Sequence, residues 1–190
     1  MARKKTFTQD ELYQATHELM LEVGYESFSF QLLSKELDVS RTALYKYYAN
    51  KADLLRDYLN HQMEEIVERI STTEWPIEYQ AKLSHLVDLV FDYADTHSIS
   101  NMVPATKWNQ ETETPDIQRS KELHIQFFSF IQQMVEEGQR DGFLSQEIPP
   151  LMIVETIFHS ITLPNRAGLP AEKRAYYVKK MLFEGIVIRK

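Results

Sequence analysis

From Ser40 to Lys51 the chain carries Arg41, Lys46 and Lys51 and no carboxylate. Cations at this spacing, interleaved with small residues and phenols, suit a polyanion rather than a reaction centre. Arg41 and Lys46 can reach a phosphate or the O6/N7 edge of a guanine, while Thr42 and Ala43 are small enough to approach base edges. Tyr45, Tyr47 and Lys51 suit phosphates, Lys51 being helped by the positive end of the helix it opens. The other reading of Tyr47 is that it packs against that helix. Ser29 and Gln31 add a hydroxyl and an amide just upstream, and Lys4 and Lys5 with Arg3 form a second basic run at the start. That run is either an arm reaching a groove or a phosphate, or a solvated tail.

A net charge of −7 over 190 residues looks unsuited to nucleic acid until it is divided along the chain. Residues 1–51 hold seven basic and seven acidic residues, so the whole excess belongs to residues 52–190. Local fields decide where a polyanion docks, and an acidic body behind a basic tip disfavours docking the wrong way round.

Helical periodicity must position these groups. Thr8 and Glu11 form a capping box for a first helix whose apolar stripe is Leu12, Ala15, Leu19, Met20 and Val23, with Gly24 as its stop. Ser29 caps a short helix over about residues 30–37, Asp38-Val39 makes a tight turn, and Ser40 caps a third helix to about Tyr47. Two short helices across a tight turn, covered by a longer one, make a helix-turn-helix. A fourth helix is expected from Lys51 to about Ile70 and another over residues 77–97. The polar stretch from Val103 to Pro115 is the least regular, and helices follow from Pro115 to about Asp141, Pro150 to Leu163 and Pro170 to Val187. The expected fold is all-α: a three-helix module over residues 1–50, then a helical bundle over residues 51–190, about nine helices in all.

The segment from Phe28 to Lys51 resembles the signature of the TetR family of bacterial repressors. The matching elements are Val39-Ser40, Leu44-Tyr45, an aromatic at Tyr48, Lys51, and Leu54-Leu55, with Gly24-Tyr25 ending the first helix. The likeness covers about residues 7–60 and extends, in outline, to the helix end at Glu137-Gly138 and Gly142-Phe143. Phe28, Ser34 and Asp38 depart from a usual Thr, Ala and Gly, which puts a phosphate contact at the second helix in doubt. The resemblance implies a homodimer on a palindromic double-stranded DNA operator, released when a small apolar or aromatic effector enters the larger domain. The alternative is a helix-turn-helix protein that recruits a protein partner and senses no small molecule.

Within the larger domain Phe91, Met102, Trp108, Phe127, Phe128, Phe158 and His159 are candidate effector contacts, each of them also compatible with ordinary core. Ile153, Val154, Ile157 and Ile161, with Val178, Leu182 and Ile186, are the candidate dimer contacts, with burial inside one protomer as the other reading. The chain has no cysteine, so disulfides and thiolate metal sites are excluded. Its six histidines never stand four residues apart, and no nucleophile-elbow, P-loop or dinucleotide motif occurs. No enzyme activity, metal or cofactor is therefore expected. No apolar run of 18 residues and no leader-like segment occurs, so a cytoplasmic protein with no membrane span is expected.

Overall fold

Thr8 opens the first helix by accepting the Glu11 amide at 3.1 Å, while the Glu11 carboxylate accepts the Thr8 amide at 2.7 Å. Backbone donors that would otherwise face solvent at a helix start are thereby satisfied. The computed structural model describes residues 6–108 and 114–185. Lys4, Lys5 and Ile186 lie outside the described residues, as does the side chain of Trp108.

Among the described residues there are ten α-helices and no strand. They are α1 Gln9–Ser27, α2 Phe30–Glu36, α3 Arg41–Leu44, α4 Lys51–Thr72, α5 Tyr79–Asp92, α6 Ala94–Met102, α7 Ala105–Trp108, α8 Pro115–Arg140, α9 Pro150–His159 and α10 Ala171–Gly185. A 3-10 turn over Ser160–Thr162 extends α9. The helix expected over residues 77–97 is instead two, with Tyr93 leaving helical geometry between α5 and α6. No glycine or proline marks that break, so nothing local announces it. The irregular stretch after Val103 also holds the short helix α7.

The chain divides into two compact units, Met1–Glu65 with Ser98–Lys121 and Ile66–His97 with Glu122–Lys190. Helices α4, α6 and α8 each contribute residues to both units. The first unit closes around Leu12, Met20, Phe28, Leu33, Leu44, Leu54, Leu55, Tyr58 and Ile99. In the second, α5 buries Leu83, Leu86 and Val87, and α10 buries Ala175, Val178 and Leu182. At α8, Gly138 admits the ring of Tyr79, whose hydroxyl donates to the Met134 carbonyl at 3.0 Å. Gly142 then ends that helix with φ +74°, a conformation glycine adopts without Cβ strain.

Candidate nucleic-acid interface

Asp38 shapes the turn that aims the third helix. It is the one non-glycine among the described residues with positive φ, 53°. Its amide donates to the Lys35 carbonyl at 3.1 Å, and the Val39 amide donates to the Ser34 carbonyl at 2.9 Å. That pair of bonds is a Schellman closure, and aspartate tolerates the left-handed position it requires.

Helix α3 is a single turn. Ser40 accepts the Ala43 amide at 3.3 Å, and Leu44, fully buried, anchors the turn in the first core. With Leu44 held inside, Arg41, Thr42, Tyr45, Lys46 and Tyr47 are exposed and Ala43 partly so. The two phenols are braced rather than loose. Tyr45 meets Phe30 edge-on at 5.0 Å, and Tyr47, 70% exposed, meets Phe7 edge-on at 5.6 Å. Ser29 caps α2 by accepting the Leu32 amide at 3.4 Å, and Gln31, two residues on, is exposed. The exposed side chains of this helix-turn-helix thus include cations, hydroxyls and an amide, with no carboxylate among residues 40–51.

Two residues behave otherwise than their types suggest. The Lys51 ammonium does not face outward; it donates to the Tyr25, Phe28 and Glu26 carbonyls at 2.6, 3.1 and 3.4 Å and lies 4.2 Å from the Tyr25 ring centroid. Its donors are thereby directed to the end of α1 instead of to a phosphate. Phe28 is buried in the first core, so no polar contact is available where the resemblance leaves one in doubt.

Beneath the face lies a polar network that residue spacing did not reveal. Tyr48 and Tyr13 both donate to Asp57 Oδ2, at 2.6 and 2.7 Å. Burial, reinforced by that carboxylate, pushes the Tyr13 phenol up to about 12 and raises Tyr48 as well. Arg119 on α8 reaches Asp57 Oδ1 at 3.4 Å and grips both oxygens of Glu64, with Nε at 2.6 Å. The guanidinium hydrogen bond holds the Glu64 carboxyl below its ordinary value. Arg56 and Asn60, both buried, donate to the Lys107 and Asp116 carbonyls at 2.9 Å. The end of the recognition turn, α4 and the start of α8 are therefore tied together through side chains. The partners lie 44 or more residues apart except Tyr48 and Asp57, so no local pattern exposes them.

The bacterial regulatory proteins, tetR family, provide the family model that matches residues 12–58. Those residues are a TetR-family DNA-binding domain. The chain as a whole has the fold of TetR-family transcriptional regulators. A fatty acid degradation regulator FadR from Bacillus halodurans superposes with TM-score 0.69 at 20% identity, covering 96% of this chain and 98% of its own. The Bacillus subtilis FadR, solved with stearoyl-CoA, gives 0.66 at 19% identity over 94% and 100%. A regulator from Saccharomonospora viridis, solved with choline, gives 0.74 at 17% identity over 95% and 97%. At these identities the likeness is one of fold. No curated protein matches the chain by sequence.

Behind the TetR-family head, the second unit brings four of the candidate effector contacts together. Phe158 lies 5.7 Å from Phe127, 5.0 Å from Phe128 and 5.4 Å from His159, ring to ring. His97, which the spacing did not single out, joins them 5.0 Å from Phe158. Phe91 is buried, with the Arg174 guanidinium 5.8 Å from its ring centroid, and Met102 ends α6 in the first unit. The candidate dimer contacts need correction. Ile153, Val154, Ile157, Ile161, Val178 and Leu182 are all buried within the single chain and have little surface to offer a partner. The same helices expose Leu151, Met152, Tyr177 and Met181 instead.

Among the described residues no helix is long and apolar enough to cross a membrane, and no three His, Asp or Glu side chains are grouped to hold a metal.

Proposed function

We propose that the protein is a ligand-responsive repressor that binds a palindromic operator as a homodimer, working in the cytoplasm beside the chromosome. The carrying observation is the exposed set Arg41, Thr42, Tyr45, Lys46 and Tyr47, in a run over residues 40–51 that holds no carboxylate, anchored by buried Leu44 and with both phenols in ring contact. A short helix braced in this way presents its first residues to the major groove, while flanking cations and phenols engage phosphates. In a dimer the two heads read half-sites about 34–36 Å apart. The fold's other members support the sensing half of the reading, since two of them were solved with small molecules. Effector binding in the second unit would then act through α4, whose first turns carry the head and whose later residues Ile66 and Ile70 are buried.

The test is a fluorescence-anisotropy titration on DNA fragments enriched by the protein from its source genome, repeated across salt concentrations. Arg41→Ala and Lys46→Ala should each weaken binding and lower the salt slope by about one phosphate contact. Slopes identical to the parent in both variants would sink the assignment of this face.

A further inference from the structure

We propose that Arg119, near the start of α8 and outside the matched residues 12–58, is a positioning residue for base reading, a role that rests on the operator-binding reading. It acts through Asp57 on the end of the recognition turn. Tyr48 still belongs to that turn, since its amide donates to the Leu44 carbonyl at 3.1 Å. Its phenol donates to Asp57 Oδ2 at 2.6 Å, and Tyr13 of α1 donates to the same oxygen at 2.7 Å. The direction in which the Asp57 carboxylate points therefore sets where the recognition turn ends against α1 and α4. All of these groups, Arg119 included, belong to the first unit.

The other Asp57 oxygen, Oδ1, accepts from Arg119 Nη1 at 3.4 Å. Asp57 and Glu64 stand seven residues apart on α4, about two turns along one face. The guanidinium spans them, with Nε and Nη2 on the two oxygens of Glu64 and Nη1 on Asp57. Glu64 thus fixes the plane of the guanidinium, and the guanidinium fixes Asp57. A planar fork can hold both carboxylates at once, whereas an ammonium is a point charge on a flexible stem. The start of α8 stays docked on α4 without this grip, because buried Asn60 donates to the Asp116 carbonyl at 2.9 Å. The Arg119 and Glu64 side chains are 36% and 41% exposed, so their pairing adds little to folding stability. What it adds is the orientation of Asp57.

The experiment compares the full chain with Arg119→Lys, Arg119→Met and Tyr48→Phe by fluorescence anisotropy across salt concentrations. Two duplexes of equal length are used: an operator fragment enriched by the protein from its source genome, and a scrambled version of it. Arg119→Lys and Arg119→Met should each lose about tenfold in operator affinity. Affinity for the scrambled duplex and the salt slope should not move, because phosphate contacts survive while base reading is misaligned. The melting temperature of both variants should shift by less than about 4 °C. Tyr48→Phe should show the same selective loss, and adding Arg119→Met to it should cost little more, since both act through Asp57. Equal losses on the two duplexes, a reduced salt slope, losses that multiply in the double variant, or parental operator affinity in both Arg119 variants would overturn the proposal. A parent protein with no preference for the operator fragment would overturn the operator-binding reading itself, and the role of Arg119 with it.

Discussion

The Lys51 ammonium sits among the last carbonyls of α1, which the helix itself leaves without partners. A charge-assisted hydrogen bond of this kind contributes about 1.5–3 kcal/mol, and the position over the Tyr25 ring adds a cation–π term. Lys51 therefore positions the reading head by fixing α4 to the end of α1. Lys51→Met is expected to lower unfolding stability by about 1–2 kcal/mol, since part of the stem's packing survives. The salt slope of DNA binding should stay where it was, because no phosphate contact is removed. Denaturant melts paired with salt-dependent anisotropy separate the two roles. A slope reduced by about one contact with stability intact would return Lys51 to the phosphates. Residue type alone could not make this distinction: a lysine opening a helix beside a basic face looks like a phosphate ligand until its three acceptors, 23 to 26 residues away in sequence, are in place.

Helices α5 and α8 meet where glycine leaves room for an aromatic ring. A Cβ added at Gly138 would fall inside the envelope of the Tyr79 hydroxyl and ring. The ring has little freedom to yield, being stacked on Phe143 at 5.1 Å and hydrogen-bonded to the Met134 carbonyl. Gly138→Ala should thus destabilise the protein by about 2–3 kcal/mol through overpacking, despite alanine's better helix propensity. Tyr79→Leu made alongside it removes the obstruction, so Gly138→Ala should cost far less in that background. A thermal melt showing Gly138→Ala neutral or stabilising in the parent would refute the close contact. At this scale much was legible in the sequence. The Thr8, Ser29 and Ser40 caps and the Pro115 and Pro150 starts mark helices because each acts on backbone groups within one turn. The break at Tyr93 and the network around Asp57 were not: no glycine or proline marks the first, and the second joins segments far apart in sequence.

Apolar residues in excess of one helix face told only that α9 and α10 bury something, not against what. Ile153, Val154 and Ile157, spaced to share one side of α9, turn into the protomer, as do Ala175, Val178 and Leu182 of α10. What the periodicity left over is the decisive part. Leu151 and Met152 are 57% and 59% exposed, and Tyr177 and Met181 are 49% and 60% exposed. Exposed apolar side chains thus stand on both helices, and we propose that a two-fold axis sets these faces against their copies. A palindromic operator needs that symmetry, because a single head reads only one half-site. Substituting Met152→Lys together with Met181→Lys would place four like charges in the proposed two-fold interface while touching no core residue. The double variant should melt nearly as a parent protomer does, but sediment at the monomer mass at micromolar concentration. Its affinity for a full palindrome should drop toward that for an isolated half-site, a loss of about a hundredfold or more, because the second head no longer arrives tethered to the first. A parent protein that is itself monomeric, or a double variant that keeps its dimer mass and its preference for the palindrome, would rule out this pair of faces as the interface.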